Sequence, residues 1–130
     1  MAMSIALPLL SSMVNDIVAD DAGGQTGRIE LGALDLYDAH GLFIDRIALA
    51  GDRQEIVIDL RHLVPRLLAY PCACIILRHR HPSGLATPSH SDIATTRIFA
   101  DLLRLIGIHL HDHLIEGAGQ AFSFRAEGLI

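Results

Sequence analysis

A short, wholly apolar run constrains the fold of this chain more than any other feature. The run is Cys72–Leu77 (CACIIL), which stands between a proline and an arginine. Its length suits a β-strand, and the lack of any polar residue is typical of a strand that is buried on both faces of a sheet. The order of the elements around it predicts a mixed sheet flanked by helices, an α/β fold.

The segments before this strand carry alternating helix and strand signals. Pro65 is expected to delay or bend the helix in which it falls. The predicted elements are a helix over Ser4–Asp20, strands over Ile29–Tyr37 and Leu42–Ala50 joined by a turn at Asp38–Gly41, a short strand over Glu55–Leu60 and a helix over Arg61–Tyr70.

The segments after the strand begin with a loop rich in proline, serine and glycine. Apolar residues at helical spacing then predict an amphipathic helix that Gly107 ends. The predicted elements are a loop over Arg80–Pro88, a helix over Ser91–Ile106 and closing strands over Ile108–Ile115 and Ala121–Phe124.

The composition excludes disorder as the main state. The chain has 130 residues, enough for one domain and too few for two ordinary ones, and 51% of them are hydrophobic. The net charge is −5, and all ten basic residues are arginines. Because non-specific nucleic-acid binding depends on Lys and Arg neutralising phosphates, this balance argues against direct nucleic-acid binding.

The high apolar share also predicts an uncovered apolar face and hence a homodimer.

The two cysteines, Cys72 and Cys74, form no disulfide framework, which fits a reducing compartment. Both are expected to act as small buried hydrophobic residues.

The sequence shows no clear targeting or membrane-spanning segment. The N-terminal stretch lacks a basic leader region and is interrupted by Pro8, and no later run reaches about 18 apolar residues. We therefore expect a soluble, cytoplasmic protein without membrane association.

The residues best suited to metal binding or catalysis follow the C-terminal end of the buried strand. His79 and His81 are two residues apart, so in extended backbone both imidazoles project from the same side. Asp92 follows eleven residues later, in the first turn of the predicted helix. Two imidazoles and one carboxylate suit zinc and leave one position open for water, as in catalytic zinc sites.

A simpler explanation exists for the same residues. Ser89 and Asp92 are spaced as in a helix capping box, although Glu or Gln is the usual partner of the serine. Two histidines at this spacing are also common as surface residues. The capping and metal-binding explanations are compatible, since a capped helix would hold Asp92 in place.

The segment from His79 to Asp92 has the form His-x-His-Pro-x(6)-Ser-x(2)-Asp, which resembles the JAMM (MPN-plus) metalloprotease motif. The string HPSGxxTPSxxD is similar to the RadC branch of that superfamily. Further stretches that resemble RadC proteins are Asp35–Ile44, Ile106–Gly117 (IGIHLHDHLIEG) and Phe122–Ile130 (FSFRAEGLI). The resemblance covers about residues 29–130 and implies a single JAB/MPN domain of the cytidine-deaminase-like fold, preceded by a helical extension over residues 1–28.

The resemblance implies roles for five residues. It makes His79, His81 and Asp92 zinc ligands and gives Ser89 a part in stabilising the tetrahedral intermediate. It makes Glu30, eight residues before Asp38, the general base. Glu55 is the competitor on composition alone, but its position after the Gly51 turn does not fit the RadC pattern.

This sequence also departs from the RadC pattern. Arg80 stands between the histidines where RadC proteins usually carry Asn, and the stretch Ile56–Val64 lacks the usual HPRE. The first 28 residues show no helix-hairpin-helix glycine pattern. These departures weaken a DNA-linked role more than they weaken the metal site.

Other histidines are assigned no chemistry. His109, His111 and His113 alternate along a predicted strand, so all three are expected on one side of it, as solvent or interface residues rather than a second metal site. In the RadC resemblance only His113, with Asp112, matches a family position. His90 is expected to be exposed, and Arg125 and Glu127 are expected to be structural.

The resulting hypothesis is a zinc-dependent hydrolase of the JAMM type that cleaves amide or isopeptide bonds in a peptide or protein substrate. The alternative is a non-catalytic or DNA-repair-associated RadC-like accessory module. A purely structural metal site is disfavoured, because a site with three protein ligands stays open.

Overall fold

The computed structural model describes residues 31–49 and 56–130, so the predicted first helix and the 1–28 extension lie outside it. No helix among these residues has the length and apolar character needed to cross a bilayer. The elements are β1 (Leu31–Tyr37), β2 (Phe43–Leu49), α1 (Leu60–Leu68), β3 (Cys74–Arg80), α2 (His90–Leu105), β4 (His109–Glu116) and β5 (Ala121–Ser123).

The five strands form one mixed sheet in the order β2-β1-β3-β4-β5. The apolar run lies in the central strand β3, whose residues are buried from Cys74 to His79. Strand β3 pairs antiparallel with β1 and parallel with β4. A parallel pair needs a crossover, which α2 provides. The predicted α/β fold with a mixed sheet and helices is confirmed.

The main core lies between one face of the sheet and both helices. Leu34 and Leu36 of β1 pair with Leu77 and Ile75 of β3, so these four side chains share that face. They pack in one buried cluster with residues from β2, the two helices and the start of β4, namely Ile47, Leu63, Leu67, Phe99, Leu103, Ile108 and Leu110.

The opposite face of the sheet buries charged side chains. Arg78 is fully buried, and its Nε donates to Asp35 at 2.8 Å while its Nη1 donates to Glu116 at 2.5 Å. Arg46 of β2 also donates to Asp35, from Nε at 2.5 Å and from Nη2 at 3.1 Å. Two arginines and two carboxylates from four strands thus balance their charges on this face, with Arg46 partly exposed at its edge.

The predicted short strand over Glu55–Leu60 is wrong for the described residues 56–60. Only Ile56 makes an isolated bridge, and α1 already begins at Leu60. The cause is Asp59, whose carboxylate accepts from the Arg61 backbone N–H and caps the helix. Pro65 lies inside α1 and does not delay its start: the helix begins at Leu60, one residue before the predicted Arg61.

The C-terminus of α2 ends as predicted at Gly107. Gly107 has a φ of 76°, which glycine adopts without steric cost. Its N–H donates to the Arg104 carbonyl at 3.1 Å, and the Ile108 N–H donates to the Leu103 carbonyl at 2.9 Å. This pair of hydrogen bonds is a Schellman motif, and it turns the chain directly into β4.

A β-bulge in β4 overturns the prediction that His109, His111 and His113 share one side. Ile75 pairs with Leu110 but the next residue, Ile76, pairs with Asp112, so His111 is an extra residue in the strand. The bulge shifts the alternation by one, and His113 turns towards the helices, where it is buried. His113 is therefore a core residue and not a surface histidine.

The buried thiol of Cys74 is expected to resist alkylation in the native protein. Burial raises its pKa from the ordinary 9.0 to about 11, so its thiolate fraction at pH 8 is ~100-fold lower than that of an ordinary thiol. Iodoacetamide labelling followed by peptide mass spectrometry should show slow modification of Cys74, and fast modification after unfolding in guanidinium. Equal labelling rates in the two states would contradict this burial.

Candidate metal centre

The end of strand β3 places two imidazoles side by side. His79 faces the helices and is 2% exposed, and His81 follows directly after the strand and is partly buried. Their ring centroids lie 4.5 Å apart with the planes at 79°. Because the chain stays extended to this point, both rings project towards the N-terminus of α2.

The N-terminus of α2 is closed by the predicted capping box. Ser89 Oγ accepts from the Asp92 backbone N–H at 3.0 Å, and the Ser89 N–H donates to Asp92 Oδ2 at 2.8 Å. This confirms the simpler explanation for Ser89 and Asp92. It also shows that capping leaves the Asp92 carboxylate facing the two histidines.

The three side chains converge on one point. Asp92 Oδ2 lies 3.0 Å from His81 Nε2, and Asp92 Oδ1 lies 3.8 Å from His79 Nδ1. One donor atom from each residue lies within 4.8 Å of the other two. Two ligand atoms at about 2.0–2.1 Å from a tetrahedral ion are separated by about 3.3 Å, so these residues fit a small divalent cation such as zinc.

The electrostatics keep Asp92 ionised. Burial acts to raise the pKa of its carboxyl, but the hydrogen bond from the Ser89 backbone N–H and the neighbouring His79 imidazole outweigh burial, so the pKa lies below its ordinary value. A deprotonated carboxylate is the form that binds a metal ion.

The loop between the histidines and α2 is held against the turn after β4. The Ala118 N–H donates to the Gly84 carbonyl at 3.1 Å. A Cβ on Gly117 would lie 2.6 Å from that same carbonyl oxygen, so only glycine permits this close approach. The contact fixes the path by which the chain returns from His81 to Ser89.

Two residues behind the centre were missed by sequence reasoning. His113 and Thr96 are both buried, and the Thr96 Oγ1 lies 2.7 Å from His113 Nδ1. With His79 and Asp92 they line a cavity of about 20 Å³. The available signals were the Asp112–His113 pair of the RadC resemblance and the position of Thr96, one helical turn after Asp92.

Burial lowers the pKa of His113 to about 3, with the nearby His79 adding to the effect, so its imidazole is neutral. Its Nε2 is buried and has no hydrogen-bond partner among the described residues. A larger cavity of about 590 Å³ lies near the C-terminal end of α2, lined by three arginines, Asp101, His109 and apolar residues. That cavity is separate from the converging ligands.

The remaining predicted residues have different outcomes. Ser89 lies at the centre as the N-cap of α2, and His90 next to it is exposed, as expected. Glu30 and Glu55 lie outside the described residues. Arg125 is structural as expected, since its backbone N–H donates to Asp112 at 3.0 Å and its Nε donates to the His111 carbonyl.

Comparison with known proteins gives the family. The sequence profile described as RadC-like JAB domain matches residues 11–129. The chain belongs to the RadC-like JAB domain family. The resemblance to RadC proteins that the His-x-His-Pro segment carries is thereby confirmed.

Individual RadC-like relatives agree with this assignment. A UPF0758 protein of Rhodobacter capsulatus is 40% identical over an alignment of 97 residues, and the alignment covers 68% of this chain and 45% of the relative. A UPF0758 protein of Pseudomonas syringae pv. tomato is 37% identical over 95 residues, 73% of this chain and 42% of the relative. The UPF0758 protein YkfG of Escherichia coli K12 is 32% identical over an alignment of 111 residues, and the alignment covers 79% of this chain and 70% of the relative. The chain thus spans less than half of the first two relatives.

Proposed function

We propose that this RadC-like domain is a zinc-dependent hydrolase of the JAMM type that cleaves amide or isopeptide bonds in a peptide or protein. The observation that carries the proposal is the convergence of His79, His81 and Asp92, from a strand end and a helix start, within 4.8 Å. A bound zinc ion supplies Lewis acidity to the scissile carbonyl and lowers the pKa of water.

The number of protein ligands favours catalysis over a structural role. Structural zinc sites have four protein ligands, whereas catalytic sites have three and keep one position for water or substrate. Among the described residues, the group of converging histidine and carboxylate side chains contains three members. This donor set therefore suits a site that accepts a substrate.

Ser89 is suited to stabilise the negative charge that develops on the substrate carbonyl oxygen. Its Oγ accepts from the Asp92 N–H, and a hydroxyl that accepts one hydrogen bond still has its own proton to donate. In this proposal that proton is donated to the oxyanion, as in other oxyanion holes. Glu30 takes the proton of the attacking water and delivers it to the leaving amine.

Metal analysis of the purified protein tests the site directly. We expect about one equivalent of zinc after reconstitution and dialysis, and almost none in His81→Ala, because that variant retains only two protein ligands. His90→Ala is the matched control, since His90 is an exposed histidine close to the site and should leave the metal content unchanged.

A screen with fluorogenic peptide and isopeptide substrates then tests the chemistry. Turnover in the zinc-loaded protein that His81→Ala abolishes supports the hydrolase. A wild-type protein that binds no metal contradicts the proposal. Metal binding without turnover on any substrate class favours the non-catalytic accessory module.

A further inference from the structure

His113 is held rigidly behind the candidate metal centre. Its ring stacks on His79 on one side, with centroids 5.6 Å apart, and on Phe124 on the other side, with centroids 4.4 Å apart. The planes deviate by 22° and 13° from parallel. The His113 ring is therefore held between the rings of His79 and Phe124.

The backbone around His113 is fixed as well. The His113 N–H donates to Asp112 Oδ1 at 2.8 Å, and the Phe124 N–H donates to the His113 carbonyl at 3.0 Å. Asp112 is held in turn by the Ser123 hydroxyl, which donates to Oδ2 at 2.5 Å. The chain after β5 is thus locked to β4 at the residue that contacts His79.

Thr96 connects this residue to the start of α2. Its hydroxyl donates its single proton to the Asp92 carbonyl at 2.6 Å, so towards His113 Nδ1, at 2.7 Å, it accepts. The tautomer of His113 is thereby set, with the proton on Nδ1. A threonine hydroxyl that donates to the carbonyl four residues earlier is common in helices, but here the same oxygen also ties the helix to β4.

We infer that His113 and Thr96 are positioning residues for the metal centre, and the inference rests on the proposed function. His113 supports the His79 ring by stacking and, through Thr96, holds the backbone of Asp92. His79 lies on β3 and Asp92 on α2, so the distance between these two ligands depends on the contacts that hold α2 against the sheet. The hydrogen bond between Thr96 and His113 is one of these contacts. Outer residues that orient metal ligands contribute to affinity without touching the ion.

Matched variants of Thr96 test the inference. Thr96→Val removes the hydroxyl while keeping the branched shape, and Thr96→Ser keeps the hydroxyl. We expect Thr96→Val to weaken zinc binding ~10–100-fold in competition with a chromophoric chelator, as outer-residue changes do, and Thr96→Ser to restore most of the affinity. Thr95→Val is the control, because Thr95 borders the same small cavity and is exposed on the same helix, but the hydrogen bond with His113 is made by Thr96.

His113→Phe tests the other half of the link. It keeps a ring that can stack on His79 but removes the Nδ1–H group, from which the Thr96 hydroxyl oxygen accepts a hydrogen bond. We expect a similar loss of zinc affinity, together with a changed visible absorption spectrum of the Co²⁺-loaded protein, since that spectrum reports ligand geometry. Far-UV circular dichroism establishes that each variant is folded, and the Thr96 pair carries the test if His113→Phe does not fold.

The outcomes separate this inference from the proposed function. If the wild-type protein binds zinc and Thr96→Val binds it as tightly as Thr95→Val, with the same Co²⁺ spectrum, the positioning role is wrong and the metal centre stands. If the wild-type protein binds no metal, the proposed function fails and this inference fails with it.

Discussion

Glu30→Gln is expected to lower peptide or isopeptide turnover by ~10²–10⁴-fold, the usual contribution of a general acid–base residue, while zinc content stays that of the wild type. The amide of glutamine keeps the size of the side chain but cannot take a proton from water at neutral pH. In the proposed mechanism Glu30 is the base and not a zinc ligand, so the ion should remain bound. The measurement is kcat on the best substrate of the screen, beside metal analysis of the same sample.

Glu55→Gln is the matched control for that experiment, since Glu55 is the competing carboxylate on composition. It should retain turnover. If Glu30→Gln keeps its activity, Glu30 is not the base. If Glu55→Gln loses activity at unchanged zinc content, the role passes to Glu55.

Arg78→Met should lower the free energy of unfolding by ~3–5 kcal/mol, the cost of breaking a buried ion pair by removing one partner. Methionine preserves much of the volume but removes the donors to Asp35 and Glu116. Asp35 still receives two hydrogen bonds from Arg46, so the uncompensated charge falls mainly on the buried Glu116. Urea unfolding followed by circular dichroism measures the loss.

Arg104→Met provides the comparison for Arg78→Met. Arg104 also pairs with a carboxylate, that of Asp101, at 3.3 Å, but the two side chains are 80% and 72% exposed. Surface changes of this kind stay within about 0.5 kcal/mol. Equal losses of unfolding free energy in Arg78→Met and Arg104→Met would contradict this prediction. They would show that an ion pair buried in the sheet contributes no more to stability than an exposed one.

Much of the fold could be predicted because its signals are local. The apolar run predicted the central strand, helical periodicity predicted α2, and Gly107 predicted where that helix ends. The error at Glu55–Leu60 arose because the cap at Asp59 competes with the strand signal. A side-chain hydrogen bond to the backbone, not hydrophobic pattern, decides that segment.

The candidate centre divides in the same way. The spacing of His79 and His81 along an extended strand and the position of Asp92 in a first helical turn are local properties, and the structure brings the three side chains together. Their assignment as metal ligands stays a prediction, as do the roles of Ser89 and Glu30.

By itself, the sequence determined most of the described elements, the capped helix start and the chain positions of the three converging side chains, because each depends on residues a few positions apart. Only the tertiary structure decided that His113 turns inward and that Asp35, Arg78 and Glu116 meet. The first depends on an extra residue in the pairing of β4 with β3, and the second on the register of strands distant in the chain. Register is set by the packing of the whole sheet, and a shift of one residue moves a side chain to the other face.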